Sequence, residues 1–123
     1  MAWTLDARLP VVVVTNPAAL AAALAAGPPA AILAEMPVPP LPSGFPPRED
    51  FEPSLPHAAA CGCCSGRPPA AVALDRLFQA RVRGQCPWFE RVVALAPTPA
   101  GRTAVEAALT CDAVTEARFR AAA

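Results

Sequence analysis

A chain of 123 residues is long enough for one domain with a modest core and too short for two. Ten arginines balance ten acidic residues, so the chain has no net charge and no basic footprint for nucleic acid. Lysine is absent, which excludes a Schiff-base lysine, a phosphate-loop lysine and an Asn-Lys-x-Asp guanine reader.

From Leu9 to Ala34 the chain carries no charge, a stretch longer than a bilayer span requires. Pro10, Pro17 and the pair Pro28-Pro29 interrupt it, and its middle is weakly apolar alanine. The preceding segment sets Asp6 against Arg8 in place of a positive signal-peptide start. The expectation is therefore no membrane span and no signal peptide. Five cysteines, an odd number, fit a reducing, cytoplasmic compartment better than a disulfide framework.

Taken in chain order, Val11 to Val14 is a continuous β-branched run, predicting a strand buried on both faces of a parallel sheet. Asn16 followed by Pro17 is a helix start, and Ala18 to Ala26 supplies the helix, with Leu20 and Leu24 on one face. Gly27 and Pro28 stop it, and Ala30 to Glu35 predicts a second strand, completing a βαβ unit. Residues 36–60 form a long Pro-rich loop in which the prolines leave no room for a helix interior or a central strand. The loop carries Glu49, Asp50 and Glu52, which read as solvated surface. Leu74, Leu77, Phe78 and Val82 recur at helical spacing within Ala70 to Arg83, and Gly84 closes that helix. Arg91 to Ala96 predicts a third strand, with Trp88 and Phe89 filling the core edge before it. Residues 99–109 and 112–121 read as terminal helices, with Asp112 as a cap. The expected fold is a single α/β domain over residues 1–123, a small parallel sheet of about three strands with flanking helices.

The motif that carries chemistry is Cys61-Gly62-Cys63-Cys64, three thiols in four residues around a glycine that permits a tight turn. Thiolates are soft donors suited to Zn(II), Cu(I) and related ions. A tetrahedral zinc site takes four donors. Cys63 and Cys64 are awkward as simultaneous ligands, so Cys61 with Cys63 or with Cys64 is an alternative set. His57, the one histidine, lies four residues before Cys61, where imidazole can partner thiolate or stay solvated. Cys86 and Cys111 stand apart and read as packed small hydrophobes. A thiol-redox switch on the clustered cysteines is a further alternative. No Ser-His-Asp set, paired carboxylates or Cys-His nucleophile stands out, so catalysis is not expected.

Ala60-Cys61-Gly62-Cys63-Cys64-Ser65-Gly66-Arg67 resembles the G-C-x-C-C-x-x-R signature of CobW-type GTPases, metallochaperones of zinc and cobalt supply. Leu9 to Thr15 is similar to that family's first strand, Ala31 to Glu35 to its N-E-F-G-E strand and Phe89 to Val93 to its F-D-x-V-V entry. Asp112-Ala113-Val114 through Arg120 is similar to the segment after its E-T-T-G-L-A-D-P motif. The resemblance spans residues 9 to about 120, with the cysteine motif its specific part. It implies a P-loop-NTPase-like fold, metal binding through Cys61, Cys63 and Cys64, and metal handling at Glu35, which otherwise reads as a solvated acid at a strand end. The departures are equally informative. Asn16-Pro17-Ala18-Ala19-Leu20 stands where the family has a glycine-rich phosphate loop with lysine, and Leu95 and Thr98 stand where it has a magnesium-side glutamate and a glycine. The guanine-reading segment and C-terminal domain have no counterpart here. The resemblance thus implies a truncated, degenerate relative that binds metal, zinc first, without GTP. Its expected protein partners are a metal recipient, an intact CobW-type relative or a larger assembly. The rival expectation is a structural subunit of such an assembly with vestigial cysteines.

Overall fold

The computed structural model describes residues 7–39, 46–53 and 67–122. Five strands, β1 (Leu9–Val14), β2 (Ala30–Glu35), β3 (Arg48–Phe51), β4 (Arg91–Leu95) and β5 (Phe119–Ala121), form one sheet in the order β3-β2-β4-β1-β5. Every pairing is parallel. Four helices accompany them: α1 (Pro17–Ala25), α2 (Pro69–Val82), α3 (Pro99–Cys111) and α4 (Ala113–Arg118). The protein is an α/β fold with helices on both faces of a parallel sheet, compatible with a P-loop-type architecture.

The sheet separates two cores, and side-chain alternation along the strands decides which residue enters which. Leu9, Val11, Ala31, Leu33, Val92 and Ala94 face α2 and α3, packing with Leu74, Leu77, Val105 and Phe119. Ile32, Ala34, Val93 and Leu95 face α1 and meet Leu20, with Val14, Leu24 and Val38 at the margin. α2 turns Ala70, Ala71, Ala73, Leu74 and Leu77 inward, the small residues letting it lie close to the sheet. Among the described residues no helix is long and apolar enough to cross a membrane.

β2 and β4 are buried throughout, as their unbroken apolar runs predict. β1 departs from the two-sided burial expected of it: Val13 is 38% exposed, and Pro10, Val12 and Val14 are half-buried. For Pro10, Val12 and Val14 the cause is coverage, because the nine-residue α1 lies over β2 and β4 and leaves the β1 margin of that face partly open; Val13 points to the opposite face, that of Leu9 and Val11.

Two strands correct the three-strand expectation. β3 lies within the Pro-rich stretch, made possible because it is an edge strand that pairs only with β2 and contains no proline itself. β5 occupies the end of the stretch expected to be helical, because α4 stops at Arg118 and Phe119 enters the core beside β1. Trp88, expected at the core edge, is 59% exposed with the Arg81 guanidinium stacked 3.5 Å from its ring centre, while Phe89 alone fills the core position. Arg81 is held there by donating to the Phe89 carbonyl at 2.7 Å.

The connection from β1 through α1 to β2 passes over β4 on one face. That from β4 through α3 and α4 to β5 passes β1 on the other. Opposite directions on opposite faces give both crossovers the same hand. Neighbouring strands β1 and β4 thus send their chains to opposite faces, and their carboxyl ends define the topological switch point where open α/β sheets place ligands.

Candidate functional site

Each helix leaving the switch point begins with a self-made cap. At α1, Asn16 is extended and its Oδ1 accepts from the Ala19 amide at 2.7 Å, with Pro17 preset at the first helical position. At α3, Thr98 accepts from the Gly101 amide at 3.0 Å through Oγ1. A carboxylate from another strand completes this second cap. Glu35, at the end of β2 and 3% exposed, accepts from the Thr98 hydroxyl at 2.6 Å and from the Thr98 amide at 3.2 Å.

That geometry is a capping box assembled in trans. In the local form, an acid three residues after the cap reaches back to the cap's own amide. Here that third position is Gly101, and the acid comes from β2. A Cβ on Gly101 would lie 1.9 Å from Glu35 Oε1, so only glycine leaves room for the carboxylate. The negative charge at a helix N-terminus is favourable, and burial of Glu35 is offset by two charge-assisted hydrogen bonds. Glu35 is therefore not the solvated acid that its strand-end position implies. Arg102 closes the same turn by donating from Nη1 to the Ala96 and Pro97 carbonyls at 3.3 and 3.2 Å.

A second polar cluster lies at the start of α2. Arg67, the residue that follows the cysteine motif, makes a two-pronged pair with Asp112: Nε to Oδ1 at 3.1 Å and Nη2 to Oδ2 at 3.0 Å. Its Nη1 is 3.7 Å from Asp75 Oδ2, and the other oxygen of Asp75 accepts from Arg118 at 2.5 Å. Arg118 also lies over the Phe78 ring at 4.3 Å, and Phe78 meets Phe119 edge-on. Asp112 in turn caps α4, accepting from the Thr115 amide at 3.0 Å and hydroxyl at 2.8 Å. The Arg67 hydrogen bonds pull the Asp112 carboxyl down to about 2, with Thr115 adding to the shift and burial opposing it. The same pair raises Arg67.

Of the residues singled out in the sequence, Cys61, Cys63, Cys64 and His57 lie outside the described residues. Glu35 is described and is engaged with Thr98 as above. Among the described residues no three His, Cys, Asp or Glu side chains converge on a point where a metal could sit. Cys86 packs against the larger core as expected. Cys111 is exposed, a correction that follows from its place at the end of α3, turned away from the sheet. Glu49 and Asp50 stand on β3 rather than in a loop, and Asp50 pairs with Arg48 at 3.1 Å. The Thr98–Gly101 capping pair is not evident from the sequence. The signal available was Thr98-Pro99 ahead of a helical run, which marks the cap but not the remote acid.

No protein-family model, no curated protein and no solved structure matches this chain.

Proposed function

We propose that this protein binds a transition-metal ion, zinc foremost, through Cys61, Cys63 and Cys64. In this reading it is a non-hydrolysing, CobW-like carrier, buffer or sensor of the cytoplasm. The observation that carries the reading is the density of thiols in Cys61-Gly62-Cys63-Cys64, three residues ahead of a firmly held arginine. Arg67 fixes the chain just downstream to Asp112 and Asp75, giving the motif a stationary base. We assign the fourth donor to His57 rather than Glu35, because both Glu35 oxygens already accept from Thr98 and their loss would uncap α3. Nucleotide turnover is not part of the proposal. The first turn of α1 is capped by Asn16, that of α3 has a buried carboxylate beside it and its Gly101 amide taken by Thr98, and neither offers the lysine or the free glycine amides a phosphate needs. Without a hydrolysis switch, metal passes to a recipient protein by ligand exchange or is simply held.

Metal analysis of protein purified untagged under reducing conditions tests this, beside a Cys61→Ser/Cys63→Ser/Cys64→Ser variant. Near-stoichiometric zinc that disappears in the variant is the expected result. A wild type that contains no metal and takes up no added Zn(II) would overturn the reading. A second reading, an interaction subunit of a larger assembly, draws on Trp88 at 59% and Val82 at 54% exposure, both shortly after Arg81 in the chain. It predicts that Trp88→Ala weakens assembly and leaves metal content unchanged.

A further inference from the structure

α3 and α4 are separated by one residue, Asp112, extended at φ −101° and ψ 113°. The only local signal for the break is Asp112 itself, as the cap of α4. Leu109-Thr110-Cys111-Asp112-Ala113-Val114 contains neither glycine nor proline, the residues that ordinarily end a helix. What bends the chain is the Asp112 carboxylate, which is drawn to Arg67 on one side and to the Thr115 amide and hydroxyl on the other. Beyond the bend, the Arg118–Asp75 contact and the Phe78–Phe119 ring contact seat the last element. β5 then pairs with β1 through Leu9↔Phe119, Pro10↔Arg120 and Val11↔Ala121, and the Ala122 amide donates to the Val11 carbonyl. The terminal unit is thus held by an ionic clamp, the buried Phe119 ring and Thr115, a hydrogen bond from Arg8 to the Glu116 carbonyl and a three-residue edge pairing.

We propose that the α3–α4 junction is a hinge whose open form is one continuous helix, and that β5 is then exchanged reciprocally with a second copy of this chain. In a helix running unbroken over residues 99–118, about 30 Å long at 1.5 Å per residue, Arg118 and Phe119 no longer lie beside α2 and β1 of their own chain. The vacated place is specific. It consists of the β1 edge at Leu9–Val11 and a cavity lined by Phe78 and the core that takes a phenylalanine ring. The same segment of another copy refills both with the contacts already seen, which is why exchange of an identical element is a low-cost route to a dimer. Asp112 with Arg67 is the latch that keeps the bend and hence the monomer. This hinge uses described residues only and stands whether or not the cysteines bind metal.

Asp112→Ala removes the latch and the α4 cap and places a strong helix former at the bend. Light scattering after size exclusion should show it shifting with concentration from 12.7 kDa to twice that mass, with a stronger helical circular dichroism signal than wild type. Adding Ala113→Pro should restore the monomer. Proline fits the first position of α4, and the extended backbone of Asp112 before it already suits a residue preceding proline. An Asp112→Ala variant that remains monomeric at its highest attainable concentration overturns the proposal. So does a dimer that Ala113→Pro leaves intact. An unfolded Asp112→Ala chain overturns it too, since exchange restores every contact except those of Asp112.

Discussion

Glu35 shows how much one side chain can fix when its partners come from different elements. It joins the end of β2 to the start of α3 by two hydrogen bonds to Thr98, in the space that Gly101 leaves open. Gly101→Ala forces the carboxylate or the helix to move, and the expected cost is about 1–3 kcal/mol, the range for overpacking. Urea unfolding would read it as a lower midpoint at unchanged slope. The cause can be isolated with Glu35→Ala. If the clash is with this carboxylate, the double variant loses less than the two single ones summed, with a coupling of about 0.5–3 kcal/mol. Strict additivity would mean that the glycine is needed for another reason. Asp112 makes a different kind of prediction. Its carboxyl, held down by Arg67 to about 2, binds fewer protons folded than unfolded. Its contribution is therefore fully present above the ordinary aspartate value near 3.9 and is lost as pH falls from there through about 2. The side chain is 11% exposed, and the shift corresponds to roughly 2 kcal/mol. Arg67→Gln should flatten the pH dependence of stability between about 4 and 2, and an unaltered acid limb would assign the loss to other carboxylates.

Helix α1 is secured from outside itself. It has no charged residue to offset its C-terminal dipole, and Arg91, on β4, supplies the charge. Arg91 donates to the carbonyls of Ala23, Ala26 and Pro28 at 2.7–2.9 Å, satisfying the acceptors that a helix end leaves open. Gly27 belongs to the same ending, at φ 98°, where its conformation and not the space around it requires glycine. Arg91→Met keeps much of the stem and takes the guanidinium donors from these part-buried carbonyls, of which only that of Ala23 keeps a second partner, the Ala26 amide. The expected loss is about 2–3 kcal/mol, with Arg91→Lys recovering only part because ammonium cannot reach three acceptors in a plane. Thermal unfolding followed by circular dichroism measures both. The sequence reveals α1 and β2 to within a residue because each carries its own signals: Asn16-Pro17 at the start, Gly27-Pro28 at the stop, and an apolar run after it. Arg91 opens an apolar strand, and nothing in its neighbours shows that it caps a helix more than sixty residues earlier. β3 and β5 are illegible for a related reason. Arg48-Glu49-Asp50-Phe51 is too charged and Phe119-Arg120-Ala121 too short to read as strands, and both exist because a neighbouring edge is available. Glu35 stands out in the sequence only through the resemblance, as a metal-handling acid, and its role as a cap depends on a glycine from a different helix.

At the scale of the molecule, the cysteine motif enters the chain between two fixed points, Phe51 buried at the end of β3 and Arg67 pinned at the start of α2. An ion held by that motif, which we propose, binds the native arrangement and not the unfolded chain to the same degree, so its affinity adds to stability by mass action. At free zinc one hundred times the dissociation constant the gain is about 2.7 kcal/mol. For a domain of this size each kcal/mol is worth roughly 3–5 °C, so Tm should rise by about 10 °C when zinc is added to metal-free protein. A chelator stronger than the site should return it. The Cys61→Ser/Cys63→Ser/Cys64→Ser variant should unfold at the metal-free temperature in both conditions, and His57→Ala should keep part of the rise because three thiolates remain. Glu35→Gln separates the two roles that an acid in this place could have. If Glu35 caps α3 and does not ligate, the variant lowers the metal-free Tm and leaves the zinc-induced rise at full size. A rise that shrinks with Glu35→Gln would make the carboxylate a ligand, released from Thr98 when the metal binds.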